Sequence, residues 1–205
     1  MNKKRRQAYE LHSQPLGRVC VKLGLTPNFI TFTSLLISMA AGVALWKGWF
    51  IWGIVLIILT SVTDMLDGAT ARAGNMGTIF GGILDHVLDR YAEFFILSGI
   101  LLSGKVHPVW PLFAVFGMIM ASYSRKAAES IGKITSAEVG MVGRLEKFTV
   151  IMLGLALIAI FPEAELIGLN LLEIALILVG LVSHITSIQR MYFAKQELDR
   201  RSQNG

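Results

Sequence analysis

Asp64-Met65-Leu66-Asp67-Gly68-Ala69-Thr70-Ala71-Arg72 and, after eight further residues, Gly81-Gly82-Ile83-Leu84-Asp85-His86-Val87-Leu88-Asp89 hold four of the chain's five aspartates. Both stretches sit at the margins of apolar runs. Gly48–Thr63 is uncharged and leads into Asp64, while Thr78–Ser103 is apolar but carries Asp85, Asp89, Arg90 and Glu93. Asp64 and Asp67 stand i, i+3 and Asp85 and Asp89 stand i, i+4, so each pair shares one helix face. The short connection predicts antiparallel neighbouring helices, with the two acidic pairs opposed across one interface. A carboxylate at membrane depth costs a few kcal/mol, and four together repel. The cluster is therefore expected to hold cations. All-oxygen donors suit Mg²⁺, Mn²⁺ or Ca²⁺ rather than Zn²⁺. Two ions about 4 Å apart would use four carboxylates better than one ion would.

Outward from this stretch the chain stays apolar. Leu23–Trp46 and Val106–Ser124 are uncharged, Phe148–Phe161 is uncharged but short, and Leu166–Gln189 carries only Glu173. With 54% hydrophobic and 16% charged residues in 205, and a mean hydropathy of +0.60, a water-soluble globular domain is excluded. A bilayer core takes roughly 20 apolar residues per helix. The simplest fold is thus an all-α integral membrane protein with six transmembrane helices. Residues 7–20 mix apolar and polar positions, Tyr9, Leu11, Leu16, Val19 and Cys20 among the apolar ones, and predict an amphipathic helix lying at the membrane interface. The expected division is an N-terminal interfacial segment over 1–22, a six-helix domain over 23–195 and a tail over 196–205.

The positive charge has a side. Lys3, Lys4, Arg5, Arg6, Arg18 and Lys22 precede the first span; Arg72, then Arg125, Lys126, Lys133, Arg144 and Lys147, and finally Arg190 to Arg201 fall on the same side of the predicted plan. Only Lys47 and Lys105 fall opposite. This bias predicts a multi-pass protein of the cell membrane with both termini and the acidic site in the cytoplasm. It also accounts for the net charge of +5 without nucleic acid, because the cations sit where anionic headgroups are. The late, long first apolar run does not fit a cleaved signal peptide. The single cysteine, Cys20, forms no internal disulfide.

The small residues Gly68, Ala69, Ala71, Gly77, Gly81 and Gly82 leave room beside the acids, either for a bulky ligand or for close helix packing. Arg72 is placed to meet phosphate oxygens or to mark the cytoplasmic side. His86 falls on another face from Asp85 and Asp89 and is expected in packing or interface contacts. Glu93, one turn past Asp89, is either a partner of the acidic site or a buried hydrogen-bonding residue. Membrane carboxylates also mark ion pathways. Here they are confined to two adjacent segments, with no counterpart in the second half, so a cation transporter is the lesser alternative.

Asp64-x-x-Asp67-Gly68-x-x-Ala71-Arg72, eight residues, then Gly81-x-x-x-Asp85-x-x-x-Asp89 resembles the signature of the CDP-alcohol phosphotransferase family in full. Thr26-Pro27-Asn28-x-x-Thr31 and the six-helix plan resemble the family too. The resemblance implies transfer of a phosphoalcohol, phosphatidyl or archaetidyl, from a CDP-linked lipid donor to an acceptor hydroxyl, with release of CMP. It implies that Asp64, Asp67 and Asp85 bind two Mg²⁺ or Mn²⁺ ions, with Asp89 close to them and acting as the general base. Gly68, Ala71 and Gly81 would then give space to the cytidine end of the donor, Arg72 would meet the diphosphate, and Pro27, Asn28 and Thr31 would border the nucleotide. Family members are commonly homodimers in membrane lipid.

Ser122-Tyr123-Ser124-Arg125, Ala128-Glu129 and Gly143-Arg144 resemble the branch that makes phosphatidylinositol phosphate and its archaeal ether-lipid counterpart. Arg125 stands where that branch has lysine, Ala127 where it has arginine, and Gly143 where it has glutamate. Arg125, Lys126, Arg144 and Arg190 are the candidates for an acceptor-phosphate pocket. Inositol 1-phosphate is the acceptor this implies. Glycerol 3-phosphate would need a similar pocket, and serine or another alcohol fewer cations.

Overall fold

The computed structural model describes residues 3–134 and 142–203, with residues 3–12 as backbone only. The side chains of Tyr9 and Leu11, and of the basic residues Lys3, Lys4, Arg5 and Arg6, therefore lie outside the described part. The chain divides into two compact units, 1–104 and 105–205.

The first unit holds four helices: α1 (Lys3–Lys22), α2 (Pro27–Trp46), α3 (Phe50–Ala73) and α4 (Ile79–Leu102). Thr26 caps α2 by accepting from the Phe29 amide, with Pro27 at the first helical position, where its missing N–H costs nothing. Thr78 caps α4 in the same way, accepting from the Gly81 amide at 2.9 Å. Between α3 and α4 the chain reverses through Asn75 at φ 50°, a left-handed conformation that asparagine tolerates better than most residues.

Helix α2 packs along both α3 and α4, and α1 packs on α3. Sequence spacing predicts α3 and α4 as direct neighbours. Instead each lies mainly against α2, and this helix is the spine of the unit. Small residues make the contact possible: a Cβ on Gly99 of α4 would overlap the backbone of Gly42 on α2. In lipid, close backbone approach of this kind replaces the hydrophobic drive that water supplies elsewhere. The buried Ser34 hydroxyl of α2 donates to the Thr60 carbonyl of α3 at 3.2 Å, adding a polar tie. A Cβ on Gly17 would overlap the Ala69 backbone, so α1 is pressed onto α3 beside the acidic site.

The second unit holds α5 (Val109–Ser130), α6 (Arg144–Ile160), a two-residue ladder β1 (Glu165–Leu166) and β2 (Leu169–Asn170), and α7 (Leu171–Gln203). Here α7 packs on both α5 and α6. The last apolar run, expected to begin as helix at Leu166, begins as this hairpin instead. Ile167 and Gly168 turn it with φ of 60° and 72°. Asn170 and Glu173 then start α7 with a reciprocal cap: the Glu173 amide donates to Asn170 Oδ1 at 2.9 Å and the Asn170 amide to Glu173 Oε2 at 3.0 Å.

Three helices, α2, α3 and α7, are long and apolar enough to cross a membrane by composition alone. In α4 the acids dilute the apolar signal, and α6 has only 17 residues. Leu36, Trp52, Phe80, Phe116 and Ile188 are each at least 58% exposed on helix surfaces. An exterior of this kind belongs in lipid rather than water, and the chain is an all-helical membrane protein.

Candidate functional site

The C-terminal half of α3 and the N-terminal half of α4 bring the signature acids together. Carboxylate oxygens of Asp64, Asp67 and Asp85 all lie within 4.8 Å of one another. Carboxylates this close can turn toward one shared hard cation. The donors are hard oxygens, and the lone cysteine, buried on α1, is not among them. The residues thus fit a Mg²⁺- or Mn²⁺-type ion. Asp85, His86 and Asp89 form a second such group. His86 Nδ1 is 3.8 Å from Asp85 Oδ2, closer to the acids than its helical position suggests, and its side chain is 55% exposed.

Support for the acids comes from α2. The Thr31 hydroxyl lies 2.8 Å from Asp67 Oδ2 and 3.0 Å from the Pro27 carbonyl, and its single proton serves one of these at a time. Both Thr31 and Asp67 are buried. Thr31, Ser34 and Leu35 of α2, Asp64 of α3, and Leu88, Asp89 and Ala92 of α4 line one cleft. Thr31, expected beside a nucleotide, thus also touches the acidic cluster directly. Nothing in the sequence marks this bond, because a threonine in an apolar helix looks like an ordinary packed residue.

The small residues have separate neighbours. A Cβ on Gly68 would sit 3.2 Å from an Arg72 nitrogen, so the glycine makes room for the guanidinium. A Cβ on Gly81 would meet Asn28 Oδ1 at 3.2 Å and Thr78 Oγ1 at 3.0 Å, which places Asn28 of α2 at the start of α4. Pro27 and Asn28 form the first turn of α2. Arg72 is exposed near the end of α3, with a nitrogen 3.5 Å from the Ser13 hydroxyl of α1. Ala71 is half-buried on the turn before the α3 cap.

In the second unit, Arg125 Nε donates to Glu129 Oε1 at 2.8 Å and Lys126 Nζ to Glu129 Oε2 at 3.2 Å. Arg190 of α7 donates to the Ala121 carbonyl, one turn before Arg125 on α5. Arg144 opens α6, 5.6 Å from the centre of the Phe148 ring. Glu129, past the apolar run of α5, is the shared anion of Arg125 and Lys126. Partial burial alone would raise its carboxyl, but the hydrogen bonds and charges of Arg125 and Lys126 outweigh it and hold the group below the ordinary value.

Residues 24–186 match the family described as CDP-alcohol phosphatidyltransferase. The chain is 35% identical over 189 residues to the archaetidylinositol phosphate synthase of Pyrococcus horikoshii, covering 91% of this chain and 94% of that protein. Its structure is similar to that of Mycobacterium tuberculosis phosphatidylinositol phosphate synthase in complex with manganese and citrate, with a TM-score of 0.76, 26% identity, and 89% and 88% of the two chains covered. The same enzyme with CDP-DAG bound also superposes with a TM-score of 0.76 at 26% identity, over 89% of this chain and 92% of that one. The signature acids, gathered by α3 and α4 around hard-oxygen geometry, agree with these likenesses, and the chain belongs to the CDP-alcohol phosphatidyltransferase family, as a metal-dependent transferase of membrane lipid synthesis.

Proposed function

We propose that this enzyme transfers a phosphatidyl or archaetidyl group from a CDP-linked lipid to inositol 1-phosphate, releasing CMP. The gathering of the Asp64, Asp67 and Asp85 carboxylates within 4.8 Å carries the metal-dependent part of this reading. Asp64, Asp67, Asp85 and Asp89 would hold two divalent ions, Mg²⁺ or Mn²⁺. Such ions, when bound, neutralise a diphosphate and stabilise charge on the leaving CMP. Thr31 holds the Asp67 carboxylate in place. Gly68, Ala71 and Gly81 leave room for the cytidine end of the donor, Pro27, Asn28 and Thr31 border it, and Arg72 meets its phosphates.

Asp89 takes the proton of the acceptor hydroxyl, since a neutral alcohol is a poor nucleophile. The oxygen attacks the phosphorus remote from cytidine, one P–O bond forms, and the bond to CMP breaks. Arg125, Lys126, Arg144 and Arg190 bind the acceptor's phosphate. The likeness to inositol-phosphate lipid synthases over most of the chain supports this choice of acceptor.

The helices are read as six spans, α2 to α7, with α1 interfacial. The corresponding division is 1–22, 23–195 and 196–205, within a homodimer whose termini and active site face the cytoplasm. The charge asymmetry of the loops supports that sidedness.

The test is CMP release by purified protein from CDP-archaeol or CDP-diacylglycerol, with Mg²⁺ or Mn²⁺, against inositol 1-phosphate, glycerol 3-phosphate and serine. Release that depends on a divalent ion and on inositol 1-phosphate is expected. Release with another acceptor alone corrects the acceptor. No release from any pair, with cation flux in liposomes, overturns the whole reading.

A further inference from the structure

Helix α4 carries two charged residues that the reaction above does not use. Glu93 is 0% exposed, and Arg90 stands between it and Asp89. Arg90 Nη1 lies 2.8 Å from Glu93 Oε2, and Nη2 lies 3.5 Å from Asp89 Oδ2. The two arms of one guanidinium thus reach two carboxylates. Asp89 and Glu93 stand i, i+4 on a single stripe, so without a cation between them they would repel.

An ion pair at this depth is weak as a source of stability, because two apolar side chains of similar volume usually serve a buried site as well. What it supplies is direction. The final torsion of an aspartate is soft, so its carboxylate plane needs a partner to define it. A planar guanidinium ion-paired at one end to a fully buried glutamate is less free to turn than one in solvent. Asp89 also lines the narrow crevice shared with Thr31, Ser34 and Asp64, beside the acidic cluster.

We propose that Arg90 and Glu93 are positioning residues for Asp89: buried Glu93 fixes the Arg90 guanidinium, and Arg90 sets the carboxylate plane of Asp89 for proton removal from the acceptor. This rests on the assignment of Asp89 as the base. It concerns the rate of the chemical step and leaves donor binding to other residues.

The deciding variant is the double substitution Arg90→Met with Glu93→Leu, which removes the two charges of this ion pair together. Purified protein is assayed for CMP release and for its melting temperature, beside Asp89→Asn, Arg90→Lys and wild type. The expected result is a wild-type melting temperature and a kcat lower by about tenfold to a hundredfold, the range for removing a group that orients a reactive ligand. The KM for the CDP-lipid stays within about twofold. A double variant with wild-type kcat, or one whose loss lies wholly in KM, overturns the proposal. If the double variant melts early, Arg90→Lys decides, because it keeps the charge and loses the fork: a kcat below wild type at an unchanged melting temperature supports positioning, and an unchanged kcat refutes it. An inactive Asp89→Asn beside a fully active double variant removes only this proposal, whereas an active Asp89→Asn removes the base assignment beneath it.

Discussion

The Thr31 hydroxyl on α2 stands 2.8 Å from Oδ2 of Asp67 on α3, and both residues are buried. A single bond thus links the spine helix of the first unit to the acid most enclosed among the four. Thr31→Val keeps the shape and removes the donor. Partners that orient metal-binding carboxylates are worth about tenfold to a hundredfold in metal affinity. Divalent-ion titrations of CMP release should therefore shift to higher concentration by that factor, with activity recovered at saturating Mn²⁺. Thr31→Ser should titrate like wild type. An unshifted titration for Thr31→Val would show that Asp67 needs no help from α2.

How far the sequence could be read depended on the range of each interaction. The spacing of Asp64 with Asp67 and of Asp85 with Asp89 is local, so helical geometry alone places each pair on one face. The caps at Thr26 and Thr78 are local as well. The role of α2 is not: Thr31 and Ser34 punctuate an apolar run, and only their tertiary partners distinguish them from ordinary packed residues. Packing of α3 and α4 on α2 rather than on each other has the same origin, since connection length favours neighbours but glycine contacts such as Gly42 with Gly99 decide. Two signals were present and short-range. Arg90 stands three residues before Glu93, and Asn170 three before Glu173. Apolarity drew the boundaries of both segments and hid them.

Glu173 holds together the start of α7. Its carboxylate accepts from the His107 amide at 2.7 Å and the Asn170 amide at 3.0 Å, while the Asn170 side chain donates to the Lys105 carbonyl at 2.8 Å. Glu173→Ala leaves two backbone donors without this acceptor. Losses of this type cost about 1–3 kcal/mol. The melting temperature of the purified protein should fall by several degrees, while kcat and KM at a permissive temperature stay at wild-type values. A fall in kcat without a fall in melting temperature would assign Glu173 a part in the reaction.

The Glu129 carboxyl titrates below its ordinary value of 4.5 in the folded protein. A depressed carboxyl adds stability that is fully present above the unfolded value and is lost as pH falls through the folded one. Wild type should therefore melt above Glu129→Gln at neutral pH, and the difference should close below about pH 4.5. With the side chain a quarter exposed, solvent limits the effect to about 1 kcal/mol or less. Thermal melts of both proteins between neutral and acid pH measure it. A difference that persists unchanged into acid would mean that Glu129 acts by packing rather than charge.

Arg144 is the first residue of α6, where the helix dipole is already positive and where Gly143 provides no side-chain cap. A cation there disfavours the helix, and Glu146 in the same turn carries the opposite charge. An anion bound beside this first turn would offset that cost. Arg144→Ala should accordingly raise the KM for a phosphorylated acceptor. A charge-assisted bond worth about 1.5–3 kcal/mol corresponds to about tenfold to a hundredfold. The melting temperature should hold or rise slightly, and the KM for the CDP-lipid should not move. Steady-state kinetics with inositol 1-phosphate, read beside the donor titration, separate the two. An unchanged acceptor KM would leave Arg144 as a charge that orients the chain in the bilayer and nothing more.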